Sequence, residues 1–186
     1  MRKKKFQKNL ESSKASSAPH ELLATHCYEG EGLAALLKRL EREVESAKLS
    51  KGTLPEKIWI KQQFSIGVND ITRVLERMAS AEVESSAQES TAVRSGRKAP
   101  LVPLQAVLLA SDCNPRWLTK HLPGLASSRG VPLIFVKDKK GGSLRLGELV
   151  KLKTAIAIGV KAKGSGINKA IEEVLRDKES SRAVEL

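Results

Sequence analysis

Three polar side chains carry the most specific chemistry in this chain of 186 residues: Asn69, Asp70 and Arg73. An amide both donates and accepts, an ionised carboxylate only accepts, and a guanidinium donates through a planar fork. Together they can read the polar edges of a base and hold phosphate. They lie in Phe64-Ser-Ile-Gly-Val-Asn-Asp-Ile-Thr-Arg-Val-Leu-Glu76, which reads as a tight glycine turn feeding an amphipathic helix. Gly67 permits the turn, Asn69 is a favourable N-cap, and Asp70 suits the positive end of the helix dipole. Ile71, Val74, Leu75 and Met78 recur at i, i+3, i+4 and i+7, which makes one buried stripe. Asn69, Asp70 and Arg73 then share the opposite, exposed shoulder, beside backbone N–H groups that can meet an anion. An ordinary capped surface helix fits the same residues.

Other chemistries find less support. His20, His26 and His121 have no Ser or Asp at a recognisable motif spacing. Cys113 with His121 would make a thiol dyad, but a buried strand-end cysteine and a structural histidine fit them better. His26-Cys27 lacks a second pair to complete a metal site. Gly164-Ser-Gly166 lacks the lysine and the spacing of a phosphate-binding loop, so it reads as a helix start. No catalytic residue, no metal site and no cofactor is therefore expected. Cys27 and Cys113 stand far apart and outside any C-x-x-C pair, which favours a reducing compartment.

A formal net charge of +12 and a pI near 9.9 point to a polyanionic partner, with nucleic acid ahead of a membrane. No apolar run reaches the length of a membrane span. Met-Arg-Lys-Lys-Lys-Phe has no apolar stretch behind it and is not expected to be a secretory signal. Arg2, Lys3, Lys4 and Lys5 suit a nuclear or nucleolar address or a non-specific phosphate contact, and a plain solvated tail fits them equally.

The elements that must position the polar trio follow from periodicity and breakers. Residues 1–20 read as a disordered basic tail and 177–186 as a polar tail, with one domain over 21–176. Leu33, Leu36, Leu37, Leu40 and Val44 predict a helix over about 31–49, and a shorter one over 55–64 holds Trp59, read as a core residue. After the trio's helix, about 69–79, the Ser-rich stretch 80–99 reads as a flexible insertion. Leu104-Gln-Ala-Val-Leu-Leu-Ala110 predicts a buried central strand. A helix over about 115–129 follows, bent at Pro123, with Trp117, Leu118, His121, Leu122 and Leu125 on its stripe. Strands over 131–136 and 154–160 flank a short helix capped by Ser143, and a last helix spans 167–176. This alternation predicts an α/β sandwich with helices on both faces of a small, partly parallel sheet.

Gly67-Val68-Asn69-Asp70-Ile71-Thr72-Arg73 resembles the RNA-reading signature of the ribosomal-protein 7Ae/30e family, the kink-turn binders. That signature has Glu where Asp70 stands and Lys where Arg73 stands; both replacements keep charge and change reach. The resemblance covers roughly residues 51–175. Within the family, Leu54-Pro-Glu-Lys-Ile-Trp59 ahead of Ile66-Gly-Val-Asn-Asp70 is most similar to the 38-kDa class of eukaryotic ribonuclease P and ribonuclease MRP subunits.

The resemblance implies a three-layer α/β/α sandwich with a mixed sheet of about four strands, including a short one beside the signature turn. It also implies that RNA is held by three loops at one end of the sandwich. Gly67, Val68, Asn69, Asp70, Thr72 and Arg73 belong to the first loop. Asn114, where the family often has Glu, belongs to the second, Asp112-Cys-Asn-Pro115. Lys153, Thr154, Ala155, Ile156 and Ala157 belong to the third, which packs on a flipped-out base. Kink-turns contain sheared G·A pairs, whose free edges suit Asp70 and Asn69, while Arg73 suits guanine O6/N7 or phosphate. The function so implied is a non-catalytic RNA-binding subunit of a ribonucleoprotein in the nucleus or nucleolus, partnered by structured RNA and other protein subunits. The alternatives are a ribosomal or snoRNP relative, a protein-interaction module that has lost RNA binding, and a substrate domain of an RNA methyltransferase, for which the chain is short.

Overall fold

The structure is a computed structural model that describes residues 26–50, 52, 54–80 and 101–183. The basic tail 1–20 and, apart from Ser80, the insertion 80–99 lie outside the described residues. The elements are β1 (His26–Glu29), α1 (Gly30–Ser50), α2 (Glu56–Gln63), β2 (Phe64–Ile66), α3 (Val68–Arg77), β3 (Leu104–Ala110), α4 (Leu122–Ser128), β4 (Leu133–Lys137), α5 (Gly142–Leu149), β5 (Ala157–Lys161) and α6 (Gly166–Ala183). They build one sheet of five strands in the order β1-β4-β3-β5-β2. β1 and β3 run parallel to β4, whereas β5 runs antiparallel to both β3 and β2.

The period of two in β3 sorts its side chains between two cores. Ala106, Leu108 and Ala110 face a layer made by α1, α2, α5 and α6, where Leu33, Leu40, Trp59, Leu146 and Ile171 are all but fully buried. Val107 and Leu109 face the opposite layer of α3 and α4, packed by Ile71, Leu75, Leu122 and Ala126. The molecule is thus the expected α/β/α sandwich. Each fully buried Leu or Ile contributes about 1.5–3 kcal/mol, so the aliphatic cores suffice despite an aromatic content of 3%. Arg39 pairs with Glu173 and ties α1 to α6.

Several expectations need correction. The sheet has five strands instead of about four. The additional one is β1, where His26 and Tyr28 face inward and Cys27 and Glu29 outward. Four residues of mixed type are too short for periodicity to mark. The span 115–129 is not one bent helix: a single 3₁₀ turn, Arg116–Leu118, precedes α4, and Pro123 sits in the first turn of α4, where a missing N–H costs nothing. The N-cap of α5 is Gly141, and Ser143 instead donates its hydroxyl to Asp112. The last helix continues to Ala183, through a stretch expected to be a tail, because no Gly or Pro interrupts it.

Candidate functional site

Three loops meet at one end of the sheet because β5 lies antiparallel between two strands. The start of β5 therefore sits beside the ends of both β2 and β3. Two backbone bonds fix the meeting point. The Gly67 N–H donates to the Ala157 carbonyl at 2.8 Å, and the Ala110 N–H donates to the Ile156 carbonyl at 2.8 Å. The signature turn, the loop after β3 and the loop before β5 are thereby held against one another, although they are scattered along the chain.

The signature helix begins at Val68, so the N-cap is Gly67 and not Asn69. Gly67 stands at φ 94°, ψ 154°, a backbone region that glycine alone visits readily. No side chain caps the helix, so its first N–H groups lie open beside the polar trio. Asn69, Asp70 and Arg73 are all exposed, while Ile71 and Leu75 are fully buried and Val74 and Met78 half-buried on the same core. Val68 is also half-buried against that core. Arg73 Nη1 approaches Asp70 Oδ1 at 3.8 Å, with side chains 76% and 63% exposed. A solvated pair of this kind is worth about 0–1 kcal/mol, so both groups can re-pair with a ligand at little cost. Thr72 is half-buried, and its Oγ1 lies 2.8 Å from His121 Nε2, which bonds α3 to the segment ahead of α4.

In the second loop, Asn114 is exposed. Its neighbour Asp112 is a structural residue: Oδ1 accepts the Ser143 N–H at 3.1 Å and Oδ2 accepts the Ser143 hydroxyl at 3.0 Å. The last strand starts at Ala157 and not at 154, so residues 153–156 lie in the loop ahead of it. Ala155 donates its N–H to the Ser143 carbonyl at 2.9 Å and so leaves the ladder. Lys153 and Thr154 are exposed, Ile156 is half-buried, and Ala155 and Ala157 are buried. Ile156 packs partly against the core of α3 and α4, and the large apolar residue exposed in this loop is Leu152, 47% exposed. Gly147 lets α5 lie close to this loop: a Cβ there would stand 2.7 Å from Thr154 Cα and 2.8 Å from the Leu152 carbonyl oxygen.

Sequence reasoning missed the surroundings. Asp70, Arg73 and Val74 form one wall of a groove of about 800 Å³ along β2, and Lys57, Lys61, Lys151 and Lys161 line the rest of it with apolar residues including Ile60 and Leu152. These lysines come from three separated segments, so no local spacing marks them. Burial pushes the Lys161 ammonium below the usual lysine value, Lys163 adds to the effect and Asp70 opposes it. Lys161 Nζ donates to the Lys61 carbonyl at 2.6 Å. Trp117, expected on the helix stripe, is exposed, and so is His121. Cys113 is buried with Sγ 3.7 Å from the Pro115 carbonyl oxygen, and His121 Nε2 is engaged by Thr72, so the two do not form a dyad. Among the described residues, no three His, Cys, Asp or Glu side chains gather as metal ligands, and no helix is long and apolar enough to cross a membrane. The arrangement can therefore present donors, acceptors and apolar side chains to a polar, anionic ligand.

Comparison with known proteins agrees with this architecture. Residues 91–172 match the sequence model of the ribosomal protein L7Ae/L30e/S12e/Gadd45 family. That span holds the second and third loops, and α3 lies ahead of it. The fold is similar to that of the 15.5 kD RNA binding protein of Giardia lamblia, with 15% identity over 81% of this chain and 91% of that one and a TM-score of 0.50. A protein of unknown function from Bacillus halodurans is similar with 16% identity over 76% of this chain and 97% of that one, at a TM-score of 0.43. At 15% identity the likeness to the Giardia protein is one of fold.

Proposed function

We propose that this protein is a non-catalytic RNA-binding subunit of a ribonucleoprotein and that it reads a kink-turn or a closely related internal loop. The observation that supports this reading is the hydrogen-bonded convergence of the signature turn and the loop before β5, where the Gly67 N–H meets the Ala157 carbonyl, next in sequence to Ile156, while Asn69, Asp70 and Arg73 stay exposed. Asp70 accepts from guanine N–H groups, Asn69 donates and accepts at the sheared edge, and Arg73 holds guanine O6/N7 or phosphate. Ile156 covers an extruded base, a mode open to RNA because its unpaired bases can leave the stack. The family match over residues 91–172 supports the reading. For the particle we favour ribonuclease P or ribonuclease MRP, on the wording of Leu54 to Asp70.

The test is titration of a labelled kink-turn RNA against the same RNA with its G·A pairs changed to Watson–Crick pairs. Asp70→Ala should leave the melting transition nearly unchanged and weaken kink-turn binding by about 1–3 kcal/mol. Asp70→Glu should keep it. Equal affinity for both RNAs, unaffected by Asp70→Ala, would sink the reading. Sequencing RNA crosslinked to the protein in cells identifies the particle.

A further inference from the structure

The two tryptophans of this chain have opposite fates. Trp59 is 2% exposed inside the larger core, and Trp117 is 70% exposed. Folding gains little from an indole left in water, since its stabilising effect comes from the apolar area it removes from solvent. Trp117 is not on a stray surface either. It sits on the 3₁₀ turn that follows the second loop, between Asn114 and His121 in sequence. The 2.8 Å contact of His121 with Thr72 fastens this segment to the signature helix. The indole thus stands on a segment that leads from the second loop to an anchor on the signature helix.

The charge around it selects the kind of partner. Arg116 and Lys120 flank Trp117, both are exposed, and neither forms an ion pair among the described residues. From Cys113 to Lys137 the chain holds no Asp or Glu, while Arg116, Lys120 and Arg129 all fall there. An exposed aromatic face among unpaired cations is the arrangement with which single-stranded nucleic acid is held, a base on the ring and phosphates on the cations. We propose that Trp117 is a stacking platform for a second unpaired nucleotide of the bound RNA, with Arg116 and Lys120 on the adjoining phosphates. This nucleotide is distinct from the extruded base assigned to Ile156, and the proposal rests on the RNA-binding reading above.

The two readings separate in one experiment on the full chain. Wild type, Trp117→Ala, Trp117→Phe and Asp70→Ala are titrated with the labelled kink-turn RNA, and tryptophan emission is followed in parallel. The platform predicts that RNA quenches wild-type emission, that Trp117→Phe abolishes this quench yet binds within about threefold of wild type, and that Trp117→Ala binds at least about fivefold more weakly, the lower end of one base–aromatic stack. A thermal melt unchanged in Trp117→Ala shows that the loss is one of contact. If Trp117→Ala binds as tightly as wild type and no quench appears while Asp70→Ala still loses affinity, the platform is wrong and RNA binding stands. If neither variant loses affinity, both readings fall. If Trp117→Ala keeps RNA but no longer copurifies with a protein subunit, the patch is a protein interface and the proposal is overturned.

Discussion

Gly67 shows how one residue sets the geometry of the site. An added Cβ would meet nothing within 4 Å, so a substitution there suffers from its backbone angle and not from a clash. Gly67→Ala should therefore lower stability by about 1–3 kcal/mol, the usual cost of a non-glycine residue in such a region. Denaturant unfolding measures that loss. RNA titration should show a further loss in the fraction still folded, because relaxing the turn breaks the bond to Ala157 and re-aims Asn69 and Asp70. The polar trio itself was legible from sequence, since a spacing of three and four residues decides which side chains share a helix face. The cap was not. Asn69 has the better side chain for capping, but the Gly67 N–H is drawn to the Ala157 carbonyl, and local propensity carries no information about a partner so distant in sequence.

At the scale of elements, the site depends on how closely α5 approaches the loop before β5. The neighbours of Gly147 are backbone atoms, at 2.7–2.8 Å from an added Cβ, and backbone cannot give way by changing a rotamer. Gly147→Ala should displace residues 152–156 and speed amide exchange at Ala155, whose N–H is bonded to Ser143. Leu108, at the centre of the sheet and fully buried, should stay slow. Equal protection of Ala155 in both proteins would mean that the loop is not held by α5. Here the sequence was readable in part. The helices α1, α3 and α6 and the strand β3 announce themselves by period and composition. The segment 154–156 looked like strand because a short apolar run has the same composition in either state. What took it out of the sheet was the bond from Ala155 to Ser143, a contact between elements. Trp117 departs from its expected place for a related reason: a helical stripe does not continue through a segment that is a 3₁₀ turn.

For the whole molecule, charge governs range and fold governs choice. A net charge of +12 attracts any polyanion, and the lysines of the β2 groove add local attraction next to Asp70 and Arg73. Removing Arg2 to Lys5 should weaken binding to kink-turn and control RNAs alike and flatten the dependence of log affinity on log salt. Binding isotherms at several salt concentrations check this. A loss confined to the kink-turn RNA would assign those residues a reading role. The layered architecture was legible from alternation of helix and strand, whereas strand order was not, because periodicity records which face a residue occupies and not which neighbour it meets. Placing β5 between β3 and β2 is the long-range fact that turns three separate loops into one surface.

That placement also imposes an order of events on the ribosome. Among the described residues β2 has one neighbour in the sheet, β5, and the chain must extend about 90 residues past Gly67 before Ala157 exists to receive its N–H. At about 5–20 residues per second, synthesis takes roughly 5–18 s to cover that distance. Throughout that interval the nascent chain carries Asn69, Asp70 and Arg73 without the strand that fixes their direction. The surface is completed only once β5 has been made, so a chain broken off before Ala157 holds the signature in its sequence and not in its shape.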